Sequence, residues 1–388
     1  MIAVKTGGEV SSDDVVSGLL VFPVTPELDL STLEMLAGPG VSLVLASSVP
    51  QQLEGVTVHR LPSIHEADFE ARFLELVERF HVSRINSPVA SVFAHVKKLI
   101  ERKRLPLTIV GGSPQEKAIA AHRALASRAR RLFAHARAVS DGVKPEHVGR
   151  LHALLMLTRQ IYGETNQDKL SAMFAAMAST VPGDVVEIGA LAGRSAVALG
   201  YLANLFRVGP VLAVDPWSPA SAIQYDSPAL IQELPDAWNL DDVFDLFLSN
   251  LSLLPPGTAN YIRATSIAAS ARYSAGASVE TPQFGRVAYT GEISMLHIDG
   301  NHDLDAVLTD CKLWVPRIKA GGWLILDDYV WAHGGGPHAV GDAMIERYAG
   351  SLDQAFVCGK ALFMKWSARP PAGNRLLEGW TPPQSSTA

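Results

Sequence analysis

The stretch from Asp184 to Trp217, DVVEIGALAGRSAVALGYLANLFRVGPVLAVDPW, leaves this chain few folds to choose from. Val185, Val186 and Ile188 make a short apolar run that fits a buried parallel strand. A turn follows in which Gly189 and Gly193 are the permissive residues, since a turn folding back over a ligand needs positive φ or close backbone approach. Arg194 to Leu205 then predicts a helix, and Val211 to Val214 a second strand ending on Asp215. Strand, glycine turn, helix and acid-terminated strand make a mononucleotide-binding βαβ unit. An α/β crossover with no ligand is the alternative, and the segments downstream speak against it.

The glycine spacing is G-x-x-x-G, with Glu187 two residues ahead of Gly189. Dinucleotide enzymes use G-x-G-x-x-G, whose turn sets a helix N-terminus on a pyrophosphate. S-adenosylmethionine (SAM) carries no phosphate. Its site needs an acceptor for a cationic amino-acid end, room for a sulfonium, and a carboxylate about 20 residues on for the ribose hydroxyls. Glu187 and Asp215 stand where those acceptors belong.

At 388 residues the chain has room for two or three domains, each able to bury a core. Its formal charge of −6 gives no electrostatic footprint for nucleic acid. No apolar run approaches the ~18 residues of a membrane span. The N-terminus MIAVKTGGEVSSDD lacks the apolar core of a signal peptide. Cys311 and Cys358 are too few for a disulfide framework and lack metal spacing, so both read as small buried residues. The expectation is a soluble cytoplasmic protein with neither a membrane nor a nucleic acid as partner.

Ahead of that unit, Leu19–Val24, Val41–Ala46, Val56–Leu61, Ser83–Asn86 and Leu107–Val110 read as strands. A helical stripe of Phe69, Phe73, Leu76, Val77 and Phe80, and a helix from Ser91 to Arg102, fall among them. The alternation predicts a small α/β domain, assigned to residues 1–115. Gly111-Gly112 after its last strand reads as a turn rather than a nucleotide loop. Residues 116–160 read as a helical connector, alanine-rich from Glu116 to Val139 with basic residues that suit a solvated face. The tail at 369–388, rich in Pro, Gly and Ser, reads as flexible.

The second informative stretch is Ile293 to Tyr329, ISMLHIDGNHDLDAVLTDCKLWVPRIKAGGWLILDDY. Met295–Ile298 predicts a strand ending at Asp299, and Trp323–Leu326 another ending at Asp327 and Asp328. Ligands of open parallel sheets bind beyond the carboxyl ends of the strands, so these acids converge on the face of Glu187 and Asp215. Carboxylates so close raise one another's pKa unless a cation compensates, and an oxygen-loving ion such as Mg²⁺ resolves this. A simple cap on a strand-to-loop turn is the alternative for Asp327-Asp328. His302, in D-G-N-H at the start of a helix, has the titration range of a general base. Asp305 and Asp310 read as solvent-facing or local caps, and His297 as a satisfied core histidine. His333 and His338 flank a glycine loop and read as ordinary loop histidines, with closure over the substrate as the alternative.

VVEIGALAGRS, VLAVDPW, HIDGNHDLDAVLTD and GGWLILDDY, in that order, resemble the class I SAM-dependent methyltransferases. Within that class they are similar to the metal-dependent O-methyltransferases of macrolide sugars, the macrocin and mycinamicin type. The resemblance covers Tyr162 to Trp366 and so predicts a methyltransferase domain at 161–368. It implies a Rossmann-like sheet of seven strands with helices on both faces and an antiparallel last hairpin. It also implies SAM at Glu187, Gly189, Gly193, Ser195, Asp215 and Ser266. Mg²⁺ would lie at Asp299, Asp327 and Asp328, with His302 and Asp299 as catalytic residues. Leu304 departs from the pattern, where relatives commonly carry an aromatic residue.

The function expected is Mg²⁺-dependent methylation of a hydroxyl on a small molecule, a sugar-containing natural product. A catechol-like phenol is the alternative acceptor, and a non-catalytic SAM- or nucleotide-binding scaffold the alternative class. The long insertion between Trp217 and Asn260, with Tyr225, Trp238, Phe244 and Phe247, suits a lid, an oligomer contact or ordinary core. The family resemblance adds the expectation of a homo-oligomer.

Overall fold

The computed structural model describes residues 2–5, 17–20, 41–42, 56–58, 62, 64–79, 82, 84–86, 90–110 and 114–381, apart from 226, 228–237, 276–277 and 332–334. The chain divides into two units, Met1–Ala124 and Leu125–Ala388.

Strands β1 (Ile2–Lys5), β2 (Ser17–Leu20), β3 (Val41–Ser42), β4 (Val56–Val58), β5 (Arg84–Asn86) and β6 (Thr108–Val110) build the first unit's sheet. Their order is β4-β1-β2-β5-β6, with β3 paired to β2. β2, β5 and β6 run parallel, and β1 runs antiparallel to β2 and β4. Helices Phe69–Arg79 and Ala90–Lys103 bury Phe69, Phe73, Leu76, Val96 and Leu99 with Ile85 of β5. This is the alternation the sequence predicts, with β1 an unanticipated strand. Gly111-Gly112 lies outside the described residues.

The helix Pro114–Val139 crosses the boundary between the units. From Leu125 on it is more than a connector. Leu125, Ala129, Leu132, Phe133 and Ala136 recur at helical spacing and are buried in the second unit's core. Helices Val148–Thr158 and Gln167–Ala178 pack into the same cluster through Leu151, Leu154, Met173 and Phe174.

The second unit is built on a seven-stranded sheet. Its strands are β7 (Asp184–Ile188), β8 (Val211–Asp215), β9 (Ala259–Arg263), β12 (Ile293–Ile298), β13 (Ile318–Leu326), β14 (Leu352–Cys358) and β15 (Ala361–Trp366). A separate hairpin, β10 (Ser278–Thr281) with β11 (Gly285–Ala288), stands beside it. The order is β14-β15-β13-β12-β7-β8-β9. The central strands are parallel, whereas β15 runs antiparallel to β13 and to β14. This is the Rossmann-like seven-stranded sheet with an antiparallel last hairpin that the resemblance implies.

Parallel strands covered on both faces read as continuous apolar runs, which is why β7, β12 and β13 do. Val185, Met295 and Trp323 enter one core cluster, while Val186, Leu296 and Leu324 enter the other. Register then fixes what lies beyond the strand ends. Ile188 pairs with Ile298 and Val214, and Ile298 with Leu326. The next residues follow in step: Asp299 N–H donates to the Ile188 carbonyl (2.7 Å) and Asp327 N–H to the Ile298 carbonyl (2.9 Å). Residues past Trp366 do not hang free throughout, because Leu376 and Leu377 are buried in the second cluster. Two leucines in a Pro- and Gly-rich segment are enough to anchor it.

Candidate active site

The glycine turn after β7 is held from the neighbouring strand. Asp215 Oδ2 accepts from the N–H groups of Ala190 (2.9 Å) and Leu191 (3.0 Å), and Oδ1 from that of Trp217 (2.7 Å). Trp217 Nε1 donates back to the Leu191 carbonyl at 2.8 Å. Gly189 and Gly193 have φ of +85° and +87°, in the left-handed region where a side chain is strained. A Cβ at Gly189 would also strike the Asp299 carbonyl oxygen. Gly193 starts the helix Arg194–Phe206. Burial holds the Asp215 carboxyl above its ordinary range, against the lowering by its three backbone donors.

The turn opens on a cavity of about 660 Å³. Gly189, Ser195, Asp215, Ser266, Asp299, His302 and Asp328 all line it. Gly193, Glu187 and Asp327 are not among its lining residues. Gly193 acts one step away, shaping the helix start. Glu187 is fully buried in β7; its Oε1 lies 2.9 Å from His297 Nδ1, and its Oε2 has no hydrogen-bond partner among the described residues.

The strand period explains this. Glu187 pairs with His297, and His297 with Ile325, two residues before Asp327. With a period of two, Glu187, His297 and Asp327 all point to the face covered by the helix Gln167–Ala178. That helix supplies Lys169, which is 1% exposed. Lys169 Nζ bonds Asp327 Oδ2 and lies 3.8 Å from Asp299 Oδ2. Burial alone would lower the lysine's pKa, but Asp299 and Asp327 outweigh it and raise it. Burial acts likewise on His297, yet Asp327 and Glu187 lift that imidazole to about 9. His297 is a core histidine, as the sequence suggests, but a charged one.

Asp327 and Asp328 diverge. Burial opposes ionisation of Asp327, and Lys169 and His297 overcome it, holding the carboxyl well below its usual range. Asp328 has φ +50°, an uncommon value that turns its side chain into the cavity. Burial and the neighbouring Asp327 raise the Asp328 carboxyl. Burial and Asp327 raise Asp299 as well, well above the ordinary value.

His302 lies in the loop before the helix Leu304–Trp314 rather than on it. Its Nε2 is 3.4 Å from Asp328 Oδ2, and its ring meets Trp331 edge-on at 4.9 Å. Its Nδ1 is buried with no hydrogen-bond partner among the described residues. Burial lowers its pKa against the pull of Asp328, which favours the neutral imidazole a base requires. Asp299, His302 and Asp328 each place a ligand atom within 4.8 Å of the others. Two cavity-facing carboxylates suit a hard cation, which takes one or two carboxylates and completes its shell with water or substrate oxygens. The donor set therefore fits Mg²⁺ at Asp299 and Asp328; ligand atoms of His297, Asp299 and Asp327 also lie within 4.8 Å of one another, but there Asp327 is bonded to Lys169 and lies outside the cavity lining.

Asp305 is exposed at the cavity's edge, as the sequence suggests, whereas Asp310 is buried in the cavity wall instead of facing solvent or capping the backbone locally. Asp310 is buried and its carboxyl is raised to about 6, with a hydrogen bond to Ser266 pulling the other way. Ser266 Oγ also accepts from Trp314 Nε1 at 2.8 Å. Sequence reasoning missed Lys169, Arg194 and Trp331. Arg194 lines the cavity and donates to the Gly163 carbonyl at 2.8 Å. His338 faces Tyr329 and Asp342 away from the cavity lining, and His333 lies outside the described residues. In the long insertion Phe247 is core and Trp238 lines the cavity, while Tyr225 is exposed.

Residues 186–329 match a family model described as a methyltransferase domain. This stretch is a methyltransferase domain. The domain is similar to several solved structures. The O-methyltransferase NovP is 14% identical, with 52% of this chain and 80% of NovP covered at a TM-score of 0.37. The TDP-rhamnose 3′-O-methyltransferase CalS11 of calicheamicin biosynthesis is 16% identical, with 66% and 97% covered at 0.33. MycE of the mycinamycin pathway, solved with Mg and SAH, is 14% identical, with 52% of this chain and 47% of MycE covered at 0.28. No curated protein matches by sequence. Within this methyltransferase, no helix among the described residues is long and apolar enough to cross a membrane.

Proposed function

We propose that this methyltransferase acts on a hydroxyl of a small molecule, a sugar-containing natural product, with Mg²⁺ held by Asp299 and Asp328. The observation that carries the reading is His302, a buried imidazole kept neutral, with one free nitrogen, on the wall shared with Asp299 and Asp328. SAM brings an activated methyl, so the protein has to align a nucleophile with the methyl–sulfur bond. A neutral alcohol is a poor nucleophile, and a base beside a pair of hard-cation donors meets that need; an amine acceptor would require neither.

The glycine turn, Asp215 and Ser195 bind the cofactor in the cavity. His302 takes the hydroxyl proton as oxygen attacks the methyl carbon and the carbon–sulfur bond breaks, leaving S-adenosylhomocysteine and a methyl ether. Mg²⁺, when bound, lowers the pKa of a coordinated hydroxyl. The burial of His302 keeps its proton from competing solvent.

Transfer of labelled methyl from SAM to a panel of glycosides, catechols and amines tests this. His302→Ala should cut turnover with a glycoside by roughly 10²–10⁴-fold, the usual worth of a general base. SAM affinity by calorimetry should stay within about twofold. Because burial lowers the imidazole pKa, the acid limb of the rate profile should lie below pH 6.5. Turnover indifferent to His302 would remove the base mechanism. Preference for catechols would move the acceptor class, and SAM binding without turnover on any acceptor would favour a scaffold.

A further inference from the structure

Adjacent acids after a parallel strand invite assignment to one metal, yet Asp327 and Asp328 face different surroundings. Both oxygens of Asp327 are engaged from inside: Oδ1 accepts from the Asp328 N–H at 2.9 Å, and Oδ2 bonds Lys169 Nζ with His297 Nε2 at 3.5 Å. Its side chain is 4% exposed and does not line the cavity. We propose that Lys169 is a built-in counter-cation that reserves Asp327 for the interior and confines divalent-metal binding to Asp299 and Asp328. Lys169 is a positioning residue, acting through Asp327 and Asp299.

The lysine is placed rather than incidental. Asn166 caps its helix, with Oδ1 accepting from the Lys169 N–H at 2.9 Å. Gly359 packs against the backbone at this point, so that a Cβ there would come within 2.5 Å of the Lys169 backbone nitrogen. An ammonium this buried is tolerated only when paired. A divalent ion seated between Asp299 and Asp327 would meet it as a like charge, with Nζ only 3.8 Å from Asp299 Oδ2. Aspartates at both positions satisfy a metal motif by sequence, while one of them already has its cation.

This inference rests on the cavity's taking a divalent ion, so the test separates the two. The probe is Mn²⁺ on the full chain, read by the loss of the free-ion electron paramagnetic resonance signal. Wild type should bind one Mn²⁺ at the cavity, and Asp328→Asn should weaken it at least tenfold. The paired variant Lys169→Met with Asp327→Asn removes both interior charges together and should keep Mn²⁺ affinity within about threefold. Lys169→Met alone should gain a tighter or second Mn²⁺ that Asp327→Asn abolishes. Loss of Mn²⁺ from the paired variant to the extent seen in Asp328→Asn would make Asp327 a ligand and overturn the proposal. If wild type binds SAM but no Mn²⁺, the metal reading of the function fails. The proposal then stands only if Lys169→Met creates an Asp327-dependent site, and falls if it does not. Should Lys169→Met fail to fold, the paired variant decides.

Discussion

At the scale of single residues, the positions of the acids were legible in sequence and the direction in which each carboxyl turns was not. Asp299, Asp327 and Asp328 are readable because strand ends in a parallel sheet point to one edge. Which way each carboxyl turns depends on φ at Asp328 and on a lysine 158 positions from Asp327, and no local pattern carries either. Lys169 sits in an ordinary amphipathic helix start and looks like surface. Asp310 was misplaced for the same reason: its spacing suits solvent, but the burial belongs to the cavity wall. It also yields a pH test. Its folded pKa of about 6 lies above the ordinary 3.8. Its contribution to stability is therefore fully present below pH 3.8 and is lost as pH rises through about 6. The gap of roughly two units amounts to about 3 kcal/mol. Asp310→Asn should raise the melting temperature by several degrees above pH 6 and by little or nothing at pH 4, in scans without cofactor. A gain equal at both values would show that the carboxyl titrates normally.

At the scale of elements, the βαβ unit was readable almost to the residue. The expected helix from Arg194 to Leu205 is Arg194–Phe206, and the strand ending on Asp215 is β8. Apolar runs between glycines carry enough signal for that. Glu187 was read as a ligand acceptor because it precedes the turn; the two-residue period puts it on the helix-covered face, where Oε1 meets His297 and Oε2 has no hydrogen-bond partner among the described residues. Strand register is a pairing property, and one strand's sequence does not contain it. Gly189 shows what the turn requires. Its φ of +85° costs an alanine strain, and the Asp299 carbonyl fills the space a methyl needs. Gly189→Ala should destabilise the domain by about 3 kcal/mol, combining backbone strain with overpacking. Because the strand ends would part, SAM affinity should fall more than tenfold at temperatures where the variant is still folded. Gly257→Ala is a control, with a similar φ of +76° and open space around it, and should cost strain alone. Equal losses at the two glycines would mean that the contact with Asp299 does not matter.

At the scale of the whole molecule, the sequence separates an N-terminal α/β segment at 1–115 from a helical connector at 116–160, while the two compact units meet at Ala124 and Leu125. Alanine and arginine content made the helix from residue 116 look like a connector, whereas its second half is core. Leu125, Ala129, Leu132 and Ala136 are four, three and four apart, a stripe that the alanine background hides. Cutting within the expected connector at 116–160 would strip that stripe. The helix begins at Pro114, so a fragment spanning 114–388 retains all of it. Every residue lining the cavity falls between Tyr162 and Trp331. The fragment should therefore fold cooperatively and bind SAM within about threefold of the full chain, whereas one starting at residue 140 should lose the packing of Leu132 and Phe133 and melt well below it. Calorimetry on the two fragments decides the matter. A folded 114–388 fragment with SAM affinity tenfold weaker would show that the first unit contributes to the cofactor site. Full affinity but no turnover would assign that unit to the acceptor.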